Sequence, residues 1–255
     1  MTQTVVAELC VFSFLAGFVD SIVGGGGLIQ LPALLILLPG ISIPTIFGTN
    51  KLASFAGTSV AARQYARRSL IPWHIVGPAA ATAFVFSFIG SMAVTHVNPA
   101  FLKPFILVLL IGTAAYVFFI KDTGLVHRPK HAPGGGWLPG ILTGAALGFY
   151  DGFFGPGTGS FLIFIFIGVF GFDFLFASAS SKVVNCGTNF AALLYFASTS
   201  HILYGTGLPM AGFNILGSIT GSRLAMLKGS GFVRKLFLVV IAALIGKLAY
   251  DLLRK

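Results

Sequence analysis

Charged residues are scarce in this chain of 255 residues: 9% of the residues are charged, and only 6 are acidic. No Asp, Glu, Lys or Arg occurs between positions 69 and 102 or between positions 183 and 222. Each of these stretches is longer than the roughly 20 residues that cross the hydrocarbon core of a bilayer, so each must hold more than one crossing. Together with a mean hydropathy of +0.95, this pattern excludes an ordinary soluble domain and predicts an all-α polytopic membrane protein.

Other absences exclude several kinds of chemistry. Cys10 and Cys186, the 2 cysteines, lie in apolar surroundings at unmatched positions, which argues against a disulfide or a metal site. His74, His96 and His201 form no cluster with the spacing of metal ligands. Neither glycine-rich run is followed by the Gly-Lys-Ser/Thr sequence of a nucleotide-binding loop. We therefore expect neither a metal nor a cofactor.

The net charge of +10 would suggest nucleic acid as the partner of a soluble protein. Here the basic residues cluster in the loops between apolar segments, as the positive-inside rule predicts for a membrane protein. The charge therefore indicates topology, and we expect the lipid bilayer but no nucleic acid as a partner.

The chain contains an internal repeat. The sequence GFVDSIVGGG at residues 17–26 is echoed by GFYDGFFGPG at residues 148–157, an offset of 131 (148 − 17). The same offset relates Lys51 to Lys182. Repeated, glycine-interrupted apolar segments are typical of transporters with a central site between two halves. The predicted divisions are a first transmembrane repeat at 1–120, a basic cytoplasmic linker at 121–135 and a second transmembrane repeat at 136–255.

Proline, glycine and charged loops divide each repeat into five segments. The second segment of each repeat has only about 11 residues and, at 1.5 Å per residue, spans about half of the bilayer core. We therefore expect about eight to ten membrane segments in total. The predicted segments are 4–23, 28–38, 44–66, 72–95 and 99–120 in the first repeat, and 136–154, 160–171, 174–199, 207–227 and 231–252 in the second.

Matched loops of the two repeats carry opposite charge. Between the third and fourth segments the first repeat carries Arg63, Arg67 and Arg68, whereas the equivalent loop 198–207 of the second repeat carries no Lys or Arg. Between the fourth and fifth segments the bias is reversed. By the positive-inside rule we predict inverted-topology repeats, in which the two halves have opposite orientations in the membrane.

Glycine-rich breaks interrupt the apolar segments at matched places. The first break contains Gly25 and Gly26, and the second contains Gly157 and Thr158. Broken backbone at membrane depth is tolerated only where protein or a watery cavity satisfies the freed N–H and C=O groups. The helix that follows each break directs its positive N-terminal end towards the break, which favours an anion. The alternative is that the glycines only allow close packing of helices.

Four repeat-matched charges, Asp20, Asp151, Lys51 and Lys182, lie in apolar surroundings. A charge at the bilayer centre costs roughly 2.5–3.5 kcal/mol, so these groups must be paired or hydrated. We predict that the lysines meet an anionic substrate and that the aspartates stabilise the breaks or carry a coupling proton. The alternative is that the aspartates only neutralise the lysines. The polar neighbours predicted to share the anion site are Thr49, Asn50, Ser54, Ser181, Asn185 and Asn189.

The doubled pattern Gly-Phe-x-Asp-x-x-x-Gly-x-Gly, followed in each repeat by a polar stretch with a lysine, resembles the TauE/SafE family of membrane anion exporters. The resemblance covers essentially the whole chain. It implies a multi-pass permease of the inner or plasma membrane for small sulfur oxyanions such as sulfite, sulfonates or thiosulfate. The second break departs from the first, because Pro156 and Thr158 replace Gly25 and Gly27. The two half-sites are therefore expected to be chemically unequal.

The predicted function is a secondary transporter, not an enzyme, that moves a small anion by alternating access through a site between the repeats. An anion-selective channel that uses the same lysines is the first alternative. An intramembrane enzyme is the second, since paired aspartates in a membrane are found in presenilin-like proteases, although the Gly-x-Gly-Asp part of that signature is absent. The anion, the coupling ion and the oligomeric state, including a homo-oligomer, stay open at this stage.

Overall fold

The computed structural model describes residues 3–68, 71–97, 126–130 and 135–253 of the chain. Within these ranges the protein consists of eight helices and contains no strand. The predicted segment 99–120 and most of the linker 121–135 lie outside the described residues. The helices are α1 (Gln3–Val23), α2 (Gly27–Leu37), α3 (Ile43–Ala66), α4 (Trp73–Thr95), α5 (Trp137–Phe153), α6 (Thr158–Gly168), α7 (Phe174–Ser198) and α8 (Tyr204–Leu253).

The long helix α8 contains a break at the place where the sequence predicts a boundary between two segments. Gly229 has φ 70° and ψ −171°, a non-helical conformation that separates residues 204–228 from residues 230–253. A left-handed φ of this kind is readily adopted by glycine because it has no Cβ. The predicted segments 207–227 and 231–252 are therefore the two parts of α8, which follow each other without a loop.

The repeat in the sequence is also a repeat of secondary structure. The capping residues Ser42 and Asp173, which are 131 positions apart (173 − 42), stand directly before α3 and α7. Ser42 Oγ accepts a hydrogen bond from Thr45 N at 3.4 Å, and Asp173 Oδ1 accepts one from Phe176 N at 2.9 Å. Such a cap satisfies one of the free N–H groups at a helix start. The short helices α2 and α6 also begin and end 131 residues apart.

The two halves pack by exchanged contacts. Helix α1 of the first half packs against α8 of the second, and α5 of the second half packs against α4 of the first. Helices α3 and α7 pack against α8 and α4, respectively, and against each other. The carbonyl oxygens of Asn214 and Ala83 leave no room for a Cβ at Gly17 and Gly148, respectively, and these two contacts are again related by 131 (214 − 83). The long helices of each half thus complete the packing of the other half.

Apolar side chains cover the outside of the bundle, and polar side chains fill part of its inside. Ile36, Leu142 and Leu227 are 68%, 62% and 81% exposed, whereas Lys51 and Lys182 are buried. Two helices, α1 and α4, are long enough and apolar enough to cross a membrane. An apolar exterior around buried polar groups suits a lipid bilayer, where the exterior faces hydrocarbon and the polar groups find partners inside the protein.

Candidate functional site

The two glycine-rich breaks touch each other. Gly24 and Gly25 in the first break, and Gly155 and Gly157 in the second, have φ values between 75° and 95°. This left-handed conformation costs a residue with a Cβ roughly 1–2 kcal/mol. A Cβ at Gly24 would also collide with the backbone of Gly159. Glycine is therefore required both for the local conformation and for the contact between the breaks.

Helices α2 and α6 begin immediately after the breaks, at Gly27 and Thr158. The first N–H groups of a helix have no partner in the helix and carry a partial positive charge. In the first half, the N–H of Gly26 donates to Asp20 Oδ1 at 3.3 Å. In the second half, the Thr158 hydroxyl donates to the carbonyl oxygen of Gly155 at 2.7 Å. Both breaks therefore combine non-helical backbone with the positive end of a helix.

The four repeat-matched charges form two ion pairs that cross between the halves. Lys51 Nζ lies 2.8 Å from Asp151 Oδ2, and Lys182 Nζ lies 3.0 Å from Asp20 Oδ2. The side chains of the first pair are each 4% exposed, and those of the second pair are 0% and 16% exposed. A buried lysine beside a carboxylate avoids the much larger cost of a lone buried charge. The formal charge of the four side chains sums to zero.

Among the described residues each ion pair has one further side-chain hydrogen-bond partner, and these two partners occupy matched positions (189 − 58 = 131). Asn189 Oδ1 accepts a second hydrogen bond from Lys51 Nζ at 3.1 Å. Thr58 Oγ1 donates to Asp20 Oδ2 at 3.3 Å. Asn189 thus gives the lysine a second acceptor, whereas Thr58 gives the aspartate a second side-chain donor.

A cavity of about 20 Å³ lies beside the ion pairs. A space of this size holds about one water molecule, which is less than a sulfur oxyanion needs. Nine of the residues predicted for the site line this cavity. They are Asp20, Gly25, Asn50, Lys51, Ser54, Asp151, Gly157, Asn185 and Asn189.

The other five predicted site residues lie next to the cavity residues without lining the cavity themselves. Lys182 is fully buried in its ion pair. Thr49 Oγ1 accepts a hydrogen bond from Leu203 N at 3.0 Å, and Ser181 Oγ donates to the carbonyl oxygen of Gly159 at 3.0 Å. These hydroxyls therefore hold helices and loops together in this structure. The five residues are Gly26, Thr49, Thr158, Ser181 and Lys182.

Asn50 presents a polar atom to the cavity that has no partner. Its Oδ1 is buried and, in the part of the chain that the structure describes, makes no hydrogen bond; the same is true of Ser180 Oγ. Buried polar atoms are normally satisfied by protein or by ordered water. The amide of Asn50 is thus available to bind a water or a ligand, and a half-turn of the amide presents N–H donors to an anion.

Thr58 is a cavity residue that the sequence analysis missed, together with Gly27, Gly155 and Gly159. The signal that could have found Thr58 was the repeat offset, because position 58 is the equivalent of the predicted Asn189. The glycines belong to the two breaks and were represented there by Gly25 and Gly157.

Gln30 connects the cavity residues to a buried polar network that was also missed. Its Nε2 donates to the carbonyl oxygen of Asn50 at 3.4 Å, and its Oε1 accepts hydrogen bonds from Asn214 Nδ2 at 2.9 Å and from Ser13 Oγ at 3.2 Å. The equivalent of Gln30 in the second half is Phe161 (30 + 131). Gln30 could have been found from the sequence, because it is a single polar residue in an otherwise apolar short helix. The two halves differ here, since the second half has an apolar residue at the equivalent position.

Comparison with known proteins identifies the family. The family model described as "Sulfite exporter TauE/SafE" matches residues 9–248, which is nearly the whole chain. No solved structure matches the chain significantly.

Three relatives support the same assignment. The chain is 35% identical to the "Probable membrane transporter protein YfcA" of Escherichia coli (strain K12), over 94% of this chain and 87% of that protein. It is 37% identical to the "Probable membrane transporter protein ORF9" of Sinorhizobium sp, over 96% and 92% of the two chains. It is 32% identical to a "Probable membrane transporter protein" of Haemophilus influenzae, over 96% and 94%. All three names denote a membrane transporter rather than an enzyme.

Proposed function

The chain belongs to the sulfite exporter TauE/SafE family and is a membrane transporter, and from this premise we propose that it exports a small sulfur oxyanion by alternating access. Sulfite, a sulfonate and thiosulfate are the substrates considered. The observation that carries the proposal is the pair of buried Lys–Asp contacts that cross between the halves beside the two glycine-rich breaks. We also propose that the protein crosses the inner or plasma membrane several times and that its two halves have opposite orientations in that membrane.

The anion competes with an aspartate for a lysine. Lys51 is the lysine that lines the cavity, and the amides of Asn50, Asn185 and Asn189 lie around the same space. A monoanion that enters displaces Asp151 from Lys51, or it arrives together with a proton that neutralises the aspartate. The amides then supply neutral N–H donors for the remaining oxygens of the anion.

Helix ends make the site net positive although its side chains sum to zero. The N-terminus of a helix acts as a charge of roughly +0.5, and the effect is strongest within the first turn. Because α2 and α6 both begin at the breaks, they add about one positive charge in total. This value matches one negative charge on the substrate.

The transport cycle follows from the size of the cavity and from the matched contacts. A cavity of about 20 Å³ corresponds to a closed form, so the halves must move apart before an anion binds. Since the two ion pairs are formed by equivalent residues, contacts that close one side of the site have counterparts that close the other. A closed centre of this kind favours a carrier over a channel.

The membrane potential is sufficient to drive export of a monoanion. An inside-negative potential of 100 mV is worth roughly 2.3 kcal/mol per charge, which corresponds to about a 50-fold concentration gradient. ATP is therefore not needed, and proton coupling through Asp20 or Asp151 is optional.

The test is anion flux in proteoliposomes at a clamped potential, with sulfite, thiosulfate, sulfoacetate, sulfate and acetate as substrates. We expect saturable flux of a sulfur oxyanion, and a loss of at least about 100-fold in Lys51→Met, because about 3 kcal/mol of charge–anion interaction is removed. Lys228→Met is the matched control, since Lys228 is an exposed lysine on α8 outside the cavity. Its flux should equal that of the unaltered protein.

Three outcomes would contradict parts of the proposal. Flux retained in Lys51→Met would remove the role of this lysine. Flux that rises without saturation would indicate a channel. If acetate or sulfate moves and sulfite, thiosulfate and sulfoacetate do not, the proposed substrates are wrong while the family assignment stands.

A further inference from the structure

A second cavity, of about 390 Å³, lies between α3 and the first part of α8. Its volume falls in the range of roughly 300–1,000 Å³ that is typical of ligand sites. Twelve residues separate Lys51 from Arg63 on α3, so the first arginine of the cavity lies about 18 Å along the helix from the ion pairs. Four of its lining residues are arginines, namely Arg63, Arg67, Arg68 and Arg223.

The arginines of this cavity have no acidic partner among the residues that the structure describes. Within the described residues, the two ion pairs are formed by Lys51 and Lys182, and the four arginines make no side-chain hydrogen bond. All four side chains are exposed. Like charges that converge on one cavity repel each other unless an anion or solvent compensates them. The cavity therefore has the charge of an anion site, and no acidic side chain of the described residues neutralises it.

The position of the cavity indicates the depth at which its ligand lies. Tyr65 and Ala61 of α3 are fully buried in the core, so Arg63, two positions from each, lies on the opposite, outward face of this helix. Trp73, at the start of the next helix, is 57% exposed, and an exposed tryptophan is typical of the membrane–water interface. Ile219 and Met226 on α8 provide an apolar wall. A ligand with an anionic group and an apolar tail satisfies both surfaces.

At the equivalent place in the other repeat the arginines are replaced by uncharged side chains, and neighbouring side chains contact each other. The positions that match two of the arginines hold Leu194 and Met92 (63 + 131; 223 − 131). Between them, Tyr195 forms a hydrogen bond of 2.6 Å with Thr95, and the ring of Phe88 packs edge-on against the Tyr195 ring at 5.5 Å. The arginine cavity is therefore a feature of one end of the protein and does not follow from the repeat itself.

We propose that the arginine cavity binds the headgroup phosphate of an anionic membrane phospholipid. Guanidinium groups bind phosphate oxygens in pairs of hydrogen bonds, and basic cavities between membrane helices on the cytoplasmic side bind anionic headgroups. The same end of the chain carries the loop charges that predict a cytoplasmic location. A bound phosphate joins α3, which carries Lys51, to α8, and so ties the two halves together at this end.

The experiment uses the full chain in detergent, titrated with phosphatidylglycerol or phosphatidylcholine, and counts bound lipids by native mass spectrometry. We expect one phosphatidylglycerol per chain and no comparable retention of phosphatidylcholine. The double variant Arg63→Gln/Arg223→Gln should bind phosphatidylglycerol about 30-fold more weakly. Each basic residue near a membrane surface strengthens binding about fivefold, and the variant removes two of them. The control Arg128→Gln/Lys228→Gln removes the same charge from exposed positions outside the cavity and should bind normally.

A conservative variant and two soluble competitors complete the test. Arg63→Lys/Arg223→Lys keeps the charge but loses the paired hydrogen bonds, so a smaller loss than in the glutamine variant is expected. Equal weakening in the glutamine variant and its control, or no weakening in either, would overturn the proposal. The proposal would also be overturned if inorganic phosphate or glycerol phosphate displaced the bound lipid at the concentration at which phosphatidylglycerol does. The ligand would then be a soluble phosphate.

Discussion

The two ion pairs occupy matched positions, yet they hold their charges differently. In the Lys182 half-site, which we define as Lys182, Asp20 and Thr58, the aspartate has the larger set of partners. Asp20 accepts hydrogen bonds from Lys182, from Thr58 and from the N–H of Gly26. Lys182 itself has no exposed surface, and Asp20 is its acceptor within the described chain.

In the Lys51 half-site, which we define as Lys51, Asp151 and Asn189, the lysine has the larger set of partners. Lys51 donates to both Asp151 and Asn189, and all three residues line the cavity. The repeat has therefore produced one half-site whose lysine can exchange a partner and one whose lysine is locked to a single carboxylate. Under the proposed function, a substrate anion meets the first, and the second holds the halves together.

Replacing each aspartate in turn is expected to reveal the largest difference in stability between the two half-sites. Asp20→Asn leaves the ammonium group of Lys182 buried without a counter-charge, which is expected to lower the free energy of unfolding by about 3–5 kcal/mol. Asp151→Asn should cost about half as much, because Lys51 keeps Asn189 and adjoins a cavity that admits water. Thermal unfolding of both variants in one detergent measures the difference.

The double variant Asp20→Asn/Lys182→Met provides the control for that experiment. Removing both charges of the locked pair should restore most of the lost stability, because no lone charge remains buried. A loss in Asp151→Asn that equals or exceeds the loss in Asp20→Asn would show that the two half-sites are energetically alike.

Alanine at the matched glycines Gly24 and Gly155 sharpens the comparison at the level of the backbone. Both positions have positive φ, which costs an alanine roughly 1–2 kcal/mol. At Gly24 the new Cβ would collide with the rigid backbone of Gly159, whereas at Gly155 the carbonyl oxygen of Asp151 and the flexible end of Lys51 lie farther away, both at 3.3 Å. We therefore expect Gly24→Ala to be destabilising by about 1–2 kcal/mol more than Gly155→Ala.

Chemical denaturation measures both glycine variants, and Gly77→Ala serves as a matched control. Gly77 lies within α4, and a Cβ added to it would meet no neighbouring atom within 4 Å, so alanine there should be neutral or stabilising. Equal losses at Gly24 and Gly155 would mean that the contact between the two breaks contributes little.

Alanine at Asn189 and Thr58 tests the smallest difference. Asn189→Ala removes a second acceptor of Lys51 and an amide at the proposed anion site, so the KM for the anion should rise about tenfold, the value of one hydrogen bond to a charged group. Thr58→Ala removes a donor to Asp20 and should lower stability by about 1.5 kcal/mol with little change in KM. Flux measured against anion concentration separates the two. A KM shift in Thr58→Ala as large as that in Asn189→Ala would contradict the assigned roles.

The helix boundaries were predictable because each is marked by a local residue preference. The Ser42 cap before α3, the Asp173 cap before α7 and the break at Gly229 all follow from the chemistry of single residues. The crossing of the ion pairs was not predictable in the same way. The offset relates Lys51 to Lys182, but it does not say whether a lysine meets the aspartate of its own half or that of the other.

The direction of side chains around each helix helps to explain which of the predicted residues line the cavity. Ser54 and Asn185 each follow a site lysine by three positions, and residues three apart share a helix face; both line the cavity. Ser181 directly precedes Lys182 and does not line the cavity, because its hydroxyl donates to the carbonyl oxygen of Gly159. Thr49 was likewise predicted because it is near Lys51 in the sequence. Its hydroxyl instead accepts a hydrogen bond from the N–H of Leu203, in the loop between α7 and α8.

The crossed pairing also sets the order in which the protein can be assembled. Lys51 precedes Asp151 by 100 residues, and Asp20 precedes Lys182 by 162. At about 5–20 residues per second of synthesis, Lys51 exists for about 5–20 s before its partner has been made. During that interval the nascent first half carries two charges, each of which costs roughly 2.5–3.5 kcal/mol in hydrocarbon. Their neutralisation by the later half is a driving force for docking, so biogenesis of the first half depends on the second being translated.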